Sequence, residues 1–237
     1  MFGKVWYRIM TDEEIQVLWK QFVDLLESTH RIGINKIIQW LDESDFKTAP
    51  ASSQYHNAFR GGLLQHSLNV YNALFDFPMW IEFFDLREDE LIITALLHDV
   101  CKVDSYVTST KNKKDDNGNW ITVPFYQYEE ALPWGHGDKS VILLLQHGLM
   151  LNNIEISMIR NHMGFTGSDD ERRVGRLFRV CPQSMLLHLA DLEATNILES
   201  FDGPQRFIDK IKGNKNIAEW KQKLNKLDNI DELDLPF

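Results

Sequence analysis

Four ionisable side chains stand where an apolar helical face is expected. In ALLHDVCK, residues 95–102, His98 and Asp99 are adjacent in a run that otherwise reads as buried. Leu91, Ala95, His98 and Lys102 share one helical face, while Asp99 lies about 100° further round, so the two side chains meet only beside the helix. His66 follows two leucines in GGLLQHSLNV, and Asp191 lies among Leu187, Ala190, Ala194 and Leu198 in SMLLHLADLEATNIL. A carboxylate placed so must turn to solvent, pair with a cation or bind a metal, because burying it alone costs several kcal/mol.

Taken together, His66, His98, Asp99 and Asp191 make a mixed nitrogen and oxygen ligand set. Such a set suits Mn, Fe, Ni, Co or Zn, and Mg if the site is wet, and does not choose among them. His136 in WGHGDKS precedes a helix, and His162 in IRNHMG ends one that Gly164 closes. Either can serve a second metal, a substrate or a helix end. His56 and Arg60, just upstream of GGLLQH, can face the same pocket. Lys102, one turn beyond His98, either contacts a phosphate or lies in solvent. His188, three residues before Asp191, shares its face, as a partner of a ligand or as a packed histidine. His30 and His147 match no such pattern and read as structural or exposed.

These residues need helices to hold them. Thr11 and Glu14 form a capping-box pattern, and Ile15, Leu18, Trp19, Phe22, Leu25 and Leu26 then recur at helical spacing. A second helix covers INKIIQWL up to Leu41, and the stretch after it, with Pro50, reads as a loop. Further helices are expected over 56–75, 86–102, 139–150, 153–163 and 183–200, the second starting near Asp85 with Glu88 as its capping acid. SYVTST and WITVPFYQY are rich in β-branched and aromatic residues and flank KNKKDDNGN, where Asn117-Gly118 is a hairpin turn signal. A β-hairpin is therefore expected over 105–128. Its tip lysines, Lys111, Lys113 and Lys114, either form a lid over an anion or make an ordinary solvated turn. Beyond Gly203, Ile217, Trp220, Leu224 and Leu227 suit a short amphipathic helix before an acidic end.

No internal repeat or low-complexity linker interrupts the chain. The expectation is one domain over 1–237: N-terminal helices in 1–53, a core in 54–200 and a tail in 201–237. Its class is all-α with one small inserted β-hairpin. With 237 residues, 43% of them apolar, a sizeable core can be buried. Two cysteines, Cys101 and Cys181, read as free buried thiols of a reducing compartment rather than a disulfide framework. The start lacks a signal-peptide core and no run approaches a bilayer span, so a cytoplasmic protein without membrane contact is expected. A formal charge of −10 argues against broad binding to duplex nucleic acid.

The order of histidine, His-Asp, histidine, histidine and aspartate, in GGLLQHS, LLHDVCK, GHGDKS, NHMG and LADLEA, resembles the HD-domain metal-dependent phosphohydrolase superfamily. The resemblance runs from about residue 56 to 196. It is nearest to bacterial and phage hydrolases related to the 3′ to 5′ exoribonuclease branch. It implies an HD-domain helical bundle with a metal on His66, His98, Asp99 and Asp191, and a second metal on His136 and His162 with Asp99 bridging. The chain departs from the family wording where Val100 and Cys101 precede Lys102, and where Met163 follows His162.

Paired divalent cations make hydroxide available near neutral pH and offset charge on a phosphoryl oxygen, so phosphoester hydrolysis is the natural chemistry. The expected activity is a metal-dependent phosphohydrolase, with Asp99, Lys102 and His136 in the reaction and His56, Arg60, Lys102 and His162 on the substrate. The acidic surface favours a small phosphorylated substrate, a nucleotide above others. A 3′ to 5′ exonuclease on short single strands and a non-catalytic, metal-bound nucleotide sensor are the alternatives.

Overall fold

A computed structural model describes residues 10–53, 56–114, 118–130, 133–166 and 170–199. The chain divides into two units, Met1–Glu199 and Ser200–Phe237, where the sequence suggests one domain. All the described residues belong to the first, and the amphipathic helix expected beyond Gly203 lies outside them. The fold is mostly helical, with a small β insertion. Its helices are α1 (Asp12–Ser28), α2 (Ile34–Glu43), α3 (Gly62–Leu74), α4 (Pro78–Phe83), α5 (Glu88–Leu97), α6 (His136–Gln146), α7 (Asn153–Arg160), α8 (Glu171–Val180) and α9 (Gln183–Glu193). Strands β1 (Tyr106–Lys114) and β2 (Trp120–Tyr128) pair antiparallel with Tyr106 opposite Tyr128. Among the described residues, no helix is long and apolar enough to cross a membrane.

Helix α1 starts as its sequence dictates. The Thr11 hydroxyl accepts from the Glu14 N–H at 3.2 Å and the Glu14 carboxylate from the Thr11 N–H at 2.8 Å, two donors satisfied reciprocally. Ile15, Trp19, Phe22 and Leu26 then turn one stripe inward, against Ile37 and Leu41 of α2 and Leu64 of α3. Helices α3 and α5 form the centre of the bundle. Every residue of α5 from Glu90 to Leu97 is buried, so it is apolar nearly all round, as a central helix must be. A second packed group, with Val70, Leu91 and Leu187, joins α3 and α5 to α9.

Several boundaries differ from the sequence expectation. The helix expected from residue 56 begins at Gly62, because Gly61 is left-handed at φ +86° and ends a turn that the sequence does not announce. The capping acid of α5 is Glu90, accepting from the Arg87 N–H at 3.0 Å, rather than Glu88 two residues before it. The single helix expected over 86–102 is broken: α5 stops at Leu97, and Val100–Lys102 forms a 3-10 turn. Helices α4 and α8 are additions. Among their side chains only Val174 is fully buried; α4 is a single short turn-and-a-half, whereas α8 carries Val174, Leu177 and Phe178 at helical spacing, a signal that the sequence reading passes over.

Candidate metal centre

The break after α5 is what makes His98 and Asp99 usable together. His98 keeps helical angles, whereas Asp99 falls at φ −110°, ψ 18°, off the helical path. On a continuous helix they would diverge by about 100°. Here His98 Nε2 lies 3.5 Å from Asp99 Oδ2. Helix α3 brings His66 Nε2 to 3.3 Å from His98 Nε2 and 3.6 Å from Asp99 Oδ2, and α9 brings Asp191 Oδ1 to 3.3 Å from His66 Nε2. Donors each about 2.1 Å from a common cation are separated by about 3.0 Å along octahedral edges and about 3.4 Å along tetrahedral ones. The three separations among His66, His98 and Asp99, and that of Asp191 from His66, are near the tetrahedral value, and Asp191 falls in a mutually close group with His98 and His162.

The imidazoles are also fixed in the form a metal needs. Nδ1 of His98 donates to the Ala95 carbonyl at 2.8 Å, and Nδ1 of His162 to the Ile159 carbonyl at 2.7 Å. A carbonyl only accepts, so each Nδ1 carries a proton and each Nε2 is the ring nitrogen turned inward. His66 Nδ1 meets Glu199 Oε1 at 2.9 Å, which orients that ring in the same sense. His162 Nε2 stands 3.4 Å from Asp99 Oδ1, is buried, and makes no hydrogen bond. Its Nε2 shares a second ligand group with His98 and Asp191.

Charge points the same way. Asp99, Asp191 and Glu199 oppose the buried ammonium of Lys102, 2.5 Å from Asp99 Oδ2, so three negative charges against one positive leave two to be neutralised. Burial pushes His66 down, but Glu199 and Asp191 outweigh it and raise it to about 10. Burial likewise opposes protonation of His162, and Asp99 overcomes it. Asp99 is held well below the usual carboxylate range, burial being outweighed by Lys102 and then His98, and Asp191 is depressed by His66 in the same manner. A divalent cation satisfies that demand with the imidazoles neutral, and the donor set fits one.

Beside this cluster a cavity of about 470 Å³ is lined by His56, Asp99, Lys102, His136, Asp191 and other residues. His136, the first residue of α6, stacks on Tyr128 and has a buried Nδ1 without a hydrogen bond. It reaches the site because Gly137 has no side chain: a Cβ there would be driven into the Arg160 carbonyl at the end of α7. Burial, then Lys102 against Asp99, sets the His136 pKa below its ordinary value. His56 carries an unpartnered buried Nε2, and burial, then His66, lowers it to about 4.

The structure thus gathers His66, His98, Asp99, Asp191, His162, His136, Lys102 and His56. It does not gather Arg60, whose guanidinium pairs with Asp12 at 2.8 Å off the cavity wall. Lys111 and Lys114 are not on the cavity wall either. Lys111 sits over Phe125 and Lys114 over Trp120, while the base of the hairpin contributes Tyr106 and Tyr128 to the wall. His188 lines the cavity, and its Nδ1 donates to the His162 carbonyl at 2.6 Å, a supporting role. His147 stacks on Trp40. Both cysteines are free, Cys101 buried and Cys181 only partly so.

Glu199 is the residue of this cluster that sequence reasoning misses. Eight residues after Asp191, it would lie about 80° round a regular α-helix. The wide π turn over Ala194–Leu198, closed by the Glu199 N–H on the Ala194 carbonyl at 2.9 Å, slows that rotation, so both carboxylates reach His66. Tyr106 and Tyr128 were legible only as strand formers. No protein-family model, curated protein or solved structure matches this chain.

Proposed function

We propose that this chain is a metal-dependent phosphohydrolase of the HD-domain type, acting on a nucleotide or a related small phosphoester. One observation carries the reading: His66, His98 and Asp99 bring three donor atoms to within 3.3–3.6 Å of one another, with Asp191 3.3 Å from His66, the His98 Nε2 turned inward by a carbonyl and the His66 ring held by Glu199. A divalent cation held by these residues supplies Lewis acidity, making water a nucleophile near neutral pH and offsetting charge on a phosphoryl oxygen.

The protein's own groups supply the rest. Lys102 holds Asp99 in place and offers its remaining N–H groups to phosphoryl oxygens from the cavity wall. Burial and the nearby cations keep His56 neutral, so its unpartnered Nε2 is a hydrogen-bonding contact for substrate rather than a charge. The cavity is within the range that encloses small ligands, about 300–1,000 Å³, which favours a mononucleotide-sized substrate.

The test is release of phosphate or nucleoside from mono-, di-, tri- and cyclic nucleotides and short oligonucleotides with Mn, Co, Ni, Mg or Zn. Wild type is expected to hydrolyse one mononucleotide class, and Asp99→Ala to fall to the background rate with loss of bound metal. Activity confined to oligonucleotides would replace this substrate assignment with a nuclease one. Metal and nucleotide binding without turnover would replace the enzyme with a sensor.

A further inference from the structure

The inserted hairpin closes at the cavity. Tyr106 opens β1 opposite Tyr128, the last residue of β2, so both rings leave one face of the hairpin, and both line the cavity beside Lys102 and Asp99. The base of the hairpin is pinned to the bundle. The Ser105 hydroxyl accepts from the Lys139 ammonium of α6 at 2.9 Å and donates to the Cys101 carbonyl at 3.1 Å, and the Tyr106 hydroxyl donates to the Ala51 carbonyl at 3.4 Å. The two rings differ in what they have left to offer. Tyr128 stacks on His136 at 5.7 Å with the planes 18° apart. Tyr106 meets Tyr128 and Tyr126 only at steep angles, 66° and 75°, and among the described residues no ring lies face to face on it. Burial pushes its phenol up to about 12, so the ring stays uncharged beside an anionic substrate.

Resting on the phosphohydrolase reading, we propose that Tyr106 is the specificity-determining residue of this site: the nucleobase of a nucleoside phosphate stacks on its ring while the phosphoryl group meets Lys102. The wall divides the two tasks. Lys102 and the carboxylates serve a phosphoryl group and a cation, and neither purpose calls for an aromatic ring four residues further on. A flat, neutral ring without a stacked neighbour is instead complementary to a nucleobase, since every base has a π-face. The tether to Ala51 holds the ring in place before substrate arrives, so little side-chain freedom is lost on binding. A sugar phosphate without a base leaves that face uncovered. The hairpin insertion thereby sorts nucleotides from base-free phosphoesters.

Steady-state kinetics of the full chain, with the divalent ion that supports turnover best, compare the preferred nucleotide with the matching base-free sugar phosphate and with phenyl phosphate. The wild-type KM should be about 5- to 100-fold lower for the nucleotide than for the sugar phosphate. This comparison needs no variant. Tyr106→Leu should raise the nucleotide KM by a similar factor with kcat nearly unchanged, and leave the sugar phosphate unaltered. Tyr106→Phe, which keeps the ring without the hydroxyl, should behave as wild type. Equal wild-type KM values for nucleotide and sugar phosphate, or an equal loss on both in Tyr106→Leu, overturn the stacking assignment and leave the phosphohydrolase standing. An equally low KM for phenyl phosphate overturns the nucleobase in favour of any aryl group. Equilibrium dialysis of free nucleosides against the same chain shows the reverse failure. Saturable binding that weakens in Tyr106→Leu and persists in Tyr106→Phe supports the base site even where no phosphoester is turned over; no nucleoside binding and no turnover reject both.

Discussion

Among the described residues, two clusters of charge invite comparison, and they are built on opposite plans. Near the start of α2, Arg31 reaches Glu155 through both guanidinium nitrogens at 2.5 and 3.0 Å, Asp89 at 2.9 Å and the Met150 carbonyl at 2.7 Å. Asn152 adds its own hydrogen bonds to Glu90 and Glu155. This cluster is closed: its charges satisfy one another. The histidine and carboxylate centre is open. His162 Nε2, His136 Nδ1 and His56 Nε2 have no hydrogen-bond partner although each is buried, and its carboxylates outnumber its ammonium. Closure holds helices together, whereas convergence without closure makes a site.

Breaking the closed cluster should produce the largest stability change. Arg31→Ala leaves Glu155, which is fully buried, without its counter-ion, and is expected to cost about 3–5 kcal/mol in chemical denaturation. The same variant should keep its metal content per folded chain. Replacing Arg31 and Glu155 together with Met and Leu should recover most of the loss, since a closed pair can be exchanged for apolar packing. A matching recovery of metal binding by any apolar replacement at the open centre would erase the distinction between the two clusters.

Glu199→Gln probes the open centre at its support. It keeps the volume and a carbonyl oxygen for His66 Nδ1 but removes a charge, so metal affinity should fall about 10- to 100-fold while the fold persists. Competition titration with a chelating dye measures this directly. An unchanged affinity would show that Glu199 only packs.

The smallest effect is the dependence of metal stabilisation on pH. Because the folded protein raises His66 from 6.5 to about 10, the stabilisation from its proton is complete below about 6.5 and is lost as pH rises towards 10. Asp99 and Asp191 are depressed, so their contribution is present above the ordinary carboxylate range and is lost as pH falls through it. A divalent ion replaces the proton. The rise in Tm on adding zinc or manganese should therefore grow between about pH 6.5 and about pH 9. A constant rise across that interval would mean that proton and metal do not compete.

How much of this could be read beforehand depended on whether a residue stood out locally. His66, His98 and Asp191 were conspicuous because each interrupts an apolar stripe, and Thr11 with Glu14 announced α1 because a capping box is written in four residues. Asp99 was legible as their partner, but the backbone that serves it was not, since α5 ends between Leu97 and Val100 with no glycine or proline to say so. Arg60 has the chemistry of an anion contact, but the opposite charge on Asp12, far away in sequence, claims it. Cys101 reads as core until the 3-10 turn aims its sulfur at Asp99. Residue types disclosed the chemistry, and backbone irregularities decided which side chains share it.

The π turn before Glu199 carries one consequence of another kind. It holds one residue more than the α-helical turn it replaces, and that surplus brings Glu199 round to the ring that Asp191 touches. Loss of a single codon between Ala194 and Leu198 would let the segment relax into regular helix and rotate the carboxylate out of phase. At this point the gene is constrained in length as well as in spelling, and a frame-preserving deletion is the more damaging lesion.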